Sequence, residues 1–296
     1  MNIRSLISGK RVISGSQAFL LLVITAVFWS SSGFLIKMIV WNPIAIAGAR
    51  SAIAAVAIWP FIGKTRMKPS PPLVYGIIMY TATVIIFVAS TKLTTAANAI
   101  ILQYTAPIYI AIFGAWILKE KTGVLDWIIV VAVLGGMALF FLDDISKGNM
   151  LGNILAIIGG ISYAFEIIAM RKLKGGCPLE IVFWGNILTA VIGLPFMTLS
   201  RPSPSSLLVL IVLGVFQLGI PFILYSIAIK NISALEAILV SAIEPILNPI
   251  WVLLFIGEFP SRWAFIGGTV VLLSISLHGI IAALKNSGSK EYIDSI

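Results

Sequence analysis

The feature that most constrains this chain is a succession of long apolar runs with no regular polar alternation. Ten stretches can each supply the roughly 20 apolar residues that a membrane-spanning helix needs. They lie at about 17–40, 43–63, 72–91, 94–118, 124–142, 149–170, 178–199, 205–228, 233–256 and 263–284. Hydrocarbon offers the backbone no hydrogen-bond partner, so only helices or closed barrels can cross it. Barrel strands would alternate apolar and polar residues over roughly ten positions, and these runs do not. The expected fold is an all-α integral membrane protein of ten transmembrane helices. Composition agrees. Charged residues make up 10% of the chain, against about 25% in a soluble domain, and mean hydropathy is +1.08.

One segment recurs loosely. Lys92, Ala96, Ala99, Pro107 and Glu120 match Lys230, Ala234, Ala237, Pro245 and Glu258 at a constant offset of 138 residues. Shared isoleucines mean little in so apolar a chain, but a Lys, a Pro and a Glu in one register mean more. The expected organisation is a 1–16 N-terminal segment, a first repeat at 17–142, a second at 149–285, and a polar tail at 286–296. Five helices per repeat put the second copy into the membrane upside down, the inverted-repeat design of many transporters. With a cytoplasmic N-terminus, fourteen Lys and Arg fall in or near inner loops and five near outer ones. The positive-inside rule therefore places both termini in the cytoplasm. The net charge of +9 then marks topology, and no nucleic-acid partner is expected. The first 15 residues are polar and basic, and the run after them is long enough to remain as a span, so no cleaved signal is expected.

The residues at these positions resemble an EamA-type member of the drug/metabolite transporter superfamily. The resemblance is carried by NPIAIAGARSAIAA, by TTAANAIILQYTAPIYIAIFGAWILKEK with its Leu118–Lys119–Glu120 element, and by the glycine-rich GVLDWIIVVAVLGGMALF. In the second half it is carried by ISALEAILVSAIEPILNPIWVLLFIGE and WAFIGGTVVLLSISLHG. It covers about residues 18–285. It implies a ten-helix inverted-repeat carrier whose central cavity is lined mainly by helices 1, 3, 4, 6, 8 and 9. Members mostly move amino acids and other metabolites, often outward. Two departures stand out. Glu244 replaces a more usual small or apolar residue before the Pro, and the second repeat lacks the basic residue after its Leu-x-Glu counterpart.

Charges at membrane depth are costly and mark candidate sites. Arg50 lies about seven residues into its helix, roughly 10 Å deep at 1.5 Å per residue. It can hold a substrate carboxylate through paired hydrogen bonds, or anchor neighbouring carbonyls. Ser241, Glu244 and Asn248 share one helical face. Pro245 and Pro249 release the carbonyls of about Ser241 and Pro245 from the helical ladder. Glu244 can bind an amine, carry a proton, or pair with Arg50. Gln103 occupies the equivalent face in the first repeat. Trp29, Tyr80, Tyr104, Tyr163 and Tyr225 fall at cavity depth, where rings stack on ligands or simply pack. Gln217, with Gly219 and Pro221, interrupts the eighth helix as hinge or cavity wall. Glu166 lines an inner vestibule or pairs with Arg171 or Lys172.

The function expected from these residues is secondary transport, outward, of a small metabolite such as an amino acid, by alternating access around a midplane cavity in the cell membrane. An importer is the alternative. An intramembrane enzyme or a passive channel stands further off, because the single His278 has no nucleophile near it in sequence and no phosphate-loop, dinucleotide or zinc motif is present. One cysteine, Cys177, excludes an intrachain disulfide. No cofactor is expected. The expected partners are the lipid bilayer and the small-molecule substrate, with a homodimer as an open question.

Overall fold

Prolines and serines decide where the apolar runs break. The computed structural model describes residues 3–7, 13–62, 69–140, 142, 149–199, 201–247 and 262–294. Every regular element among them is helical. A short α1 (Ile3–Ile7) precedes α2 (Gly15–Trp29), which starts at a capping box: Ser14 and Gln17 each accept the other's backbone N–H. The run continues as α3 (Ser32–Met38) after a break. There the hydroxyls of Ser30 and Ser31 donate back to the carbonyls of Val27 and Phe28, competing with the helical ladder. Pro43 opens α4 (Pro43–Ile62) and Pro71 opens α5 (Pro71–Leu93), where a missing N–H costs nothing. The next run is split into α6 (Ala96–Gln103) and α7 (Ala106–Ile117), followed by α8 (Val124–Phe140), α9 (Met150–Lys172) and α10 (Leu179–Leu199). Then α11 (Pro204–Val212) passes through a π-helical stretch, Leu213–Gly219, into α12 (Ile220–Ala228). Last come α13 (Ala234–Ser241) and, after a helical turn at 243–247, α14 (Arg262–Asp294).

Seven of the runs form helices long and apolar enough to cross a membrane: Gly15–Met38, Pro43–Ile62, Pro71–Leu93, Asn98–Ile117, Met150–Lys172, Leu179–Leu199 and Pro204–Ala228. Two more, Val124–Leu139 and Phe265–His278, are shorter apolar helices. The remaining expected span, 233–256, is described only to residue 247. Trp59, Trp127 and Trp263 lie exposed on the surface.

Both ends carry helix. Leu6 and Ile7 of the N-terminal segment are buried, and α1 packs on α4 and α12. Its apolar pair is short but finds a core to enter. At the other end, α14 runs through most of the polar tail, to Asp294. That segment contains no proline, and the cost of one mid-helix glycine, about 1 kcal/mol, does not force a stop.

The breaks at Tyr104–Thr105 and at Ala242 fall at equivalent places in the two halves, each shortly before a proline. The packing couples the halves throughout. The main contacts are α5 with α9, α4 with α10, α8 with α14, α5 with α10, α2 with α12, and α4 with the π-helical stretch. The break before Pro107 is reached by α9 because residue 160 is glycine. A Cβ there would sit 2.7 Å from the Gln103 carbonyl oxygen and 2.8 Å from the Thr105 hydroxyl.

Candidate functional site

The broken helices meet around a small cavity of about 50 Å³. Trp29, Arg50, Thr83, Val84, Phe87 and Gln103 line it from the first half. Tyr163, Gln217, Leu218, Phe222 and Glu244 line it from the second. The walls thus come from the spans the resemblance implies, with Arg50 of α4 added.

Arg50 is 1% exposed, and one terminal nitrogen donates to Gln217 Oε1 at 3.0 Å. The π-helical stretch explains this pairing. Pro221 cannot donate to the Gln217 carbonyl, the ladder widens ahead of it, and the Gln217 side chain is presented to α4. Arg50 Nε has no protein partner. A guanidinium with a donor edge uncommitted, inside a cavity that holds a carboxylate elsewhere, can receive an anionic group in the geometry it favours.

Glu244 is 8% exposed. Its Oε2 accepts from the Tyr104 hydroxyl at 2.8 Å, and the same hydroxyl lies 2.6 Å from the Ser241 carbonyl oxygen. That carbonyl is the one Pro245 cannot bond. One break therefore supplies the acceptor and the facing break supplies the donor. Arg50 and Glu244 line the same cavity, but Arg50 is bonded to Gln217 and Glu244 to Tyr104. The expected alternative of a direct Arg50–Glu244 pair is not what forms.

Aromatic rings surround these groups. The Trp29 ring centre lies 5.1 Å from Phe222, 5.5 Å from Tyr225 and 6.4 Å from Tyr163. The indole N–H of Trp29, a cavity-lining residue, has no protein partner. Such a wall has flat apolar faces with an unused polar edge, suited to a ring or alkyl group with polar substituents.

The remaining expected residues sort by position. Gln103 and Gln217 line the cavity. Tyr225 and Tyr80 stand behind the lining. Tyr225 is packed on Trp29, and the Tyr80 hydroxyl accepts from Asn186 at 2.9 Å. Tyr104 acts through Glu244. The Ser241 hydroxyl turns back to the Ala237 carbonyl at 3.0 Å, so Ser241 contributes its carbonyl, not its side chain. This departs from the shared polar face read from spacing, because a serine inside a helix readily bonds the carbonyl four residues back. Asn248 lies outside the described residues. Glu166 does not pair with Arg171 or Lys172. Arg171 is bonded to Glu120, and Lys172 to the Ile117 carbonyl.

Thr83, Val84, Phe87, Leu218 and Phe222 were not foreseen. The only sequence signals are weak: Thr83 lies one helical turn from Tyr80, and Phe222 follows Pro221. An apolar residue in an apolar run does not announce which helical face meets the cavity.

A second polar cluster ties the halves together away from the cavity. The chain leaves α7 through Lys119 at φ 58°, a left-handed conformation uncommon for a non-glycine residue. Glu120 thereby reaches two partners. Its Oε1 accepts from Arg171 Nε at 2.6 Å, and its Oε2 accepts the Ala234 N–H at 3.0 Å, at the start of α13. Arg171 also donates to the carbonyls of Ile229 and Lys230. Beside this cluster, His278 Nε2 lies 3.1 Å from Asp126 Oδ1.

Known proteins resemble this chain as a whole. The model of the EamA-like transporter family matches twice, over residues 16–142 and 150–279. An "Uncharacterized transporter" of Archaeoglobus fulgidus is 24% identical over 255 residues, covering 86% of this chain and 93% of its own. The "Uncharacterized inner membrane transporter YedA" of Escherichia coli K12 is 24% identical over 276 residues, covering 85% of this chain and 87% of its own. A crystal structure superposes with a TM-score of 0.78 over 91% of this chain and 99% of its own at 19% identity, a likeness of fold. Two family matches spanning nearly all of an apolar, all-helical chain place it: it belongs to the EamA-like transporter family and is a multi-pass transporter of the cell membrane.

Proposed function

We propose that the protein carries a small zwitterionic metabolite, such as an amino acid, outward across the cell membrane by alternating access. One observation carries the substrate reading. A single cavity presents a guanidinium at Arg50 and a carboxylate at Glu244, not paired with each other, between aromatic walls. A zwitterion supplies the complementary carboxylate and ammonium, and each buried protein charge gains the counter-charge it lacks. The outward direction rests on the resemblance described above.

Two inverted five-helix halves, with both termini cytoplasmic, would move this site. The contact pattern supports such a symmetry. Exchanging equivalent helices turns the α5–α9 contact into α2–α12, α4–π-helix into α5–α10, and α6–α9 into α2–α13. The contacts α4–α10, α8–α14 and α7–α13 exchange with themselves. The double family match supports the division at about residues 142 and 149. Every residue that lines the cavity then lies at a seam between halves, so rocking one half on the other would open it to each side in turn.

Counterflow in proteoliposomes tests the proposal. Preloaded unlabelled amino acid should draw in labelled amino acid through the wild type. Glu244→Gln should weaken exchange for zwitterions, and Arg50→Lys should weaken it for substrates bearing a carboxylate. Unchanged exchange in both variants would remove these groups from the substrate site. Flux that never saturates and shows no counterflow would favour a channel.

A further inference from the structure

A second carboxylate, Glu166 of α9, lies deeper than the cavity wall and serves no contact in the site just described. It is 1% exposed, and neither carboxylate oxygen meets a donor in good hydrogen-bond geometry; the adjoining Thr83 hydroxyl commits its proton to the Met79 carbonyl at 2.8 Å. The nearest basic side chains in sequence, Arg171 and Lys172, are committed elsewhere. The titratable groups that interact with it electrostatically are Tyr80 from α5, Tyr163 on its own helix and Tyr225 from α12. None of them carries positive charge. Arg50 and Glu244 line the cavity beyond. Among the described residues, then, no cation reaches Glu166.

An ionised carboxylate with no counter-ion, and beside it only a hydroxyl whose proton is committed elsewhere, is costly in such surroundings. Relaxation of the protein does not remove the problem, because the residues packed around it are themselves buried. The site is too enclosed for an organic ammonium. The smallest cation, a proton, removes the charge without needing room. It also has a route. Thr83 lines the cavity and adjoins Glu166, and Tyr163 lines the cavity one turn before Glu166 on α9.

We propose that Glu166 is a proton-binding site, separate from the substrate groups, that couples proton movement to transport. The proton would reach one carboxylate oxygen from water on one side of the membrane. The O–H bond would form there and break when the cavity opens to the other side, with no change of oxidation state. The coupling half of this proposal rests on the transport reading above; the binding half does not.

Two measurements separate those halves. Infrared spectra of the purified protein in lipid, collected across pH in water and in D2O, read protonated carboxyl groups without any substrate. Glu166→Gln, isosteric with the protonated acid, should lose one titrating carboxylic-acid band. Glu166→Asp should restore a displaced band, and Glu236→Gln should leave the band in place. A carboxyl band unchanged in Glu166→Gln overturns the proposal. In proteoliposomes, amino acids that exchange by counterflow are then tested under an imposed gradient of one pH unit. One-proton coupling gives about a tenfold accumulation in the wild type. Glu166→Gln should keep counterflow and lose the accumulation. Accumulation that survives the substitution, or a wild type that exchanges but never accumulates, also overturns the proposal. If the wild type shows no counterflow at all, the transport reading fails and the infrared result alone decides whether Glu166 binds a proton.

Discussion

Helices α4 and α10 cross with glycine against glycine, and adding one methyl group there has a calculable effect. A Cβ on Gly193 would lie 2.7 Å from Gly48 Cα, 3.0 Å from Met197 Cε and 3.1 Å from the Ile44 carbonyl oxygen. Carbon pairs settle at about 3.5–4.0 Å. Two of these three neighbours are backbone, so the helices must part by about 1 Å. Overpacking of this kind costs about 1–3 kcal/mol. Alanine also returns about 1 kcal/mol of helix propensity relative to glycine. Gly135 of α8 supplies the control, because a Cβ there meets nothing within 4 Å. Gly135→Ala therefore isolates the propensity gain, and the difference between the two variants isolates the steric cost. At about 2–4 °C per kcal/mol for a chain of this order, a cost near 2 kcal/mol puts Gly193→Ala roughly 4–8 °C below Gly135→Ala. Thermal unfolding in detergent, followed by intrinsic fluorescence or by size-exclusion recovery, measures it. Equal melting temperatures would refute the close crossing. The crossing matters for the site because Gly48 lies two residues before Arg50 on the same helix.

Other outcomes follow from the same geometry. Tyr104→Phe removes the hydroxyl shared between Glu244 and the Ser241 carbonyl; a hydrogen bond to a charged group is worth about 1.5–3 kcal/mol, so the melting temperature should fall below that of the wild type, measured by thermal unfolding in detergent. Gln217→Leu leaves the Arg50 head without its acceptor and should lower the melting temperature more than Gln217→Glu, which keeps an acceptor. Glu120→Gln should loosen the tie among α7, α9 and α13, and a protease or hydrogen-exchange experiment should show faster opening at the start of α13. Burial and the nearby Glu180 push the Cys177 thiol up, with Lys230 acting weakly the other way. Because the thiolate is the reactive form, maleimide labelling should be slow near neutral pH and accelerate as pH rises. As the sole cysteine, Cys177 reports one place. In intact cells a membrane-impermeant maleimide should fail to reach it if the α9–α10 turn is cytoplasmic.

Some of the site was legible because it violated its surroundings. Glu244 and Arg50 are charges inside apolar runs, and a charge at membrane depth needs a partner wherever the helices pack. Pro245 likewise forecast an interrupted helix, since a missing N–H is a local fact. Partners were harder. Arg50 finds Gln217 and Tyr104 finds Glu244 across separations of 167 and 140 residues. Spacing along one helix could not tell that the Ser241 hydroxyl would turn inward to its own backbone while its carbonyl served the site. Nor could it single out Thr83 or Phe222, whose neighbours in sequence are just as apolar or just as small.

The sequence alone determined that this chain lives in lipid as helices, because apolar runs of that length leave the backbone no other way to satisfy itself. It also showed a loosely repeated segment and costly charges at membrane depth. Only the tertiary structure decided which charges meet a partner and which do not. Contact depends on helix rotation and crossing, and those are set by packing against helices far away in the chain. Glu120 gained Arg171, while Glu166, five residues earlier on the same helix as that arginine, gained no cation.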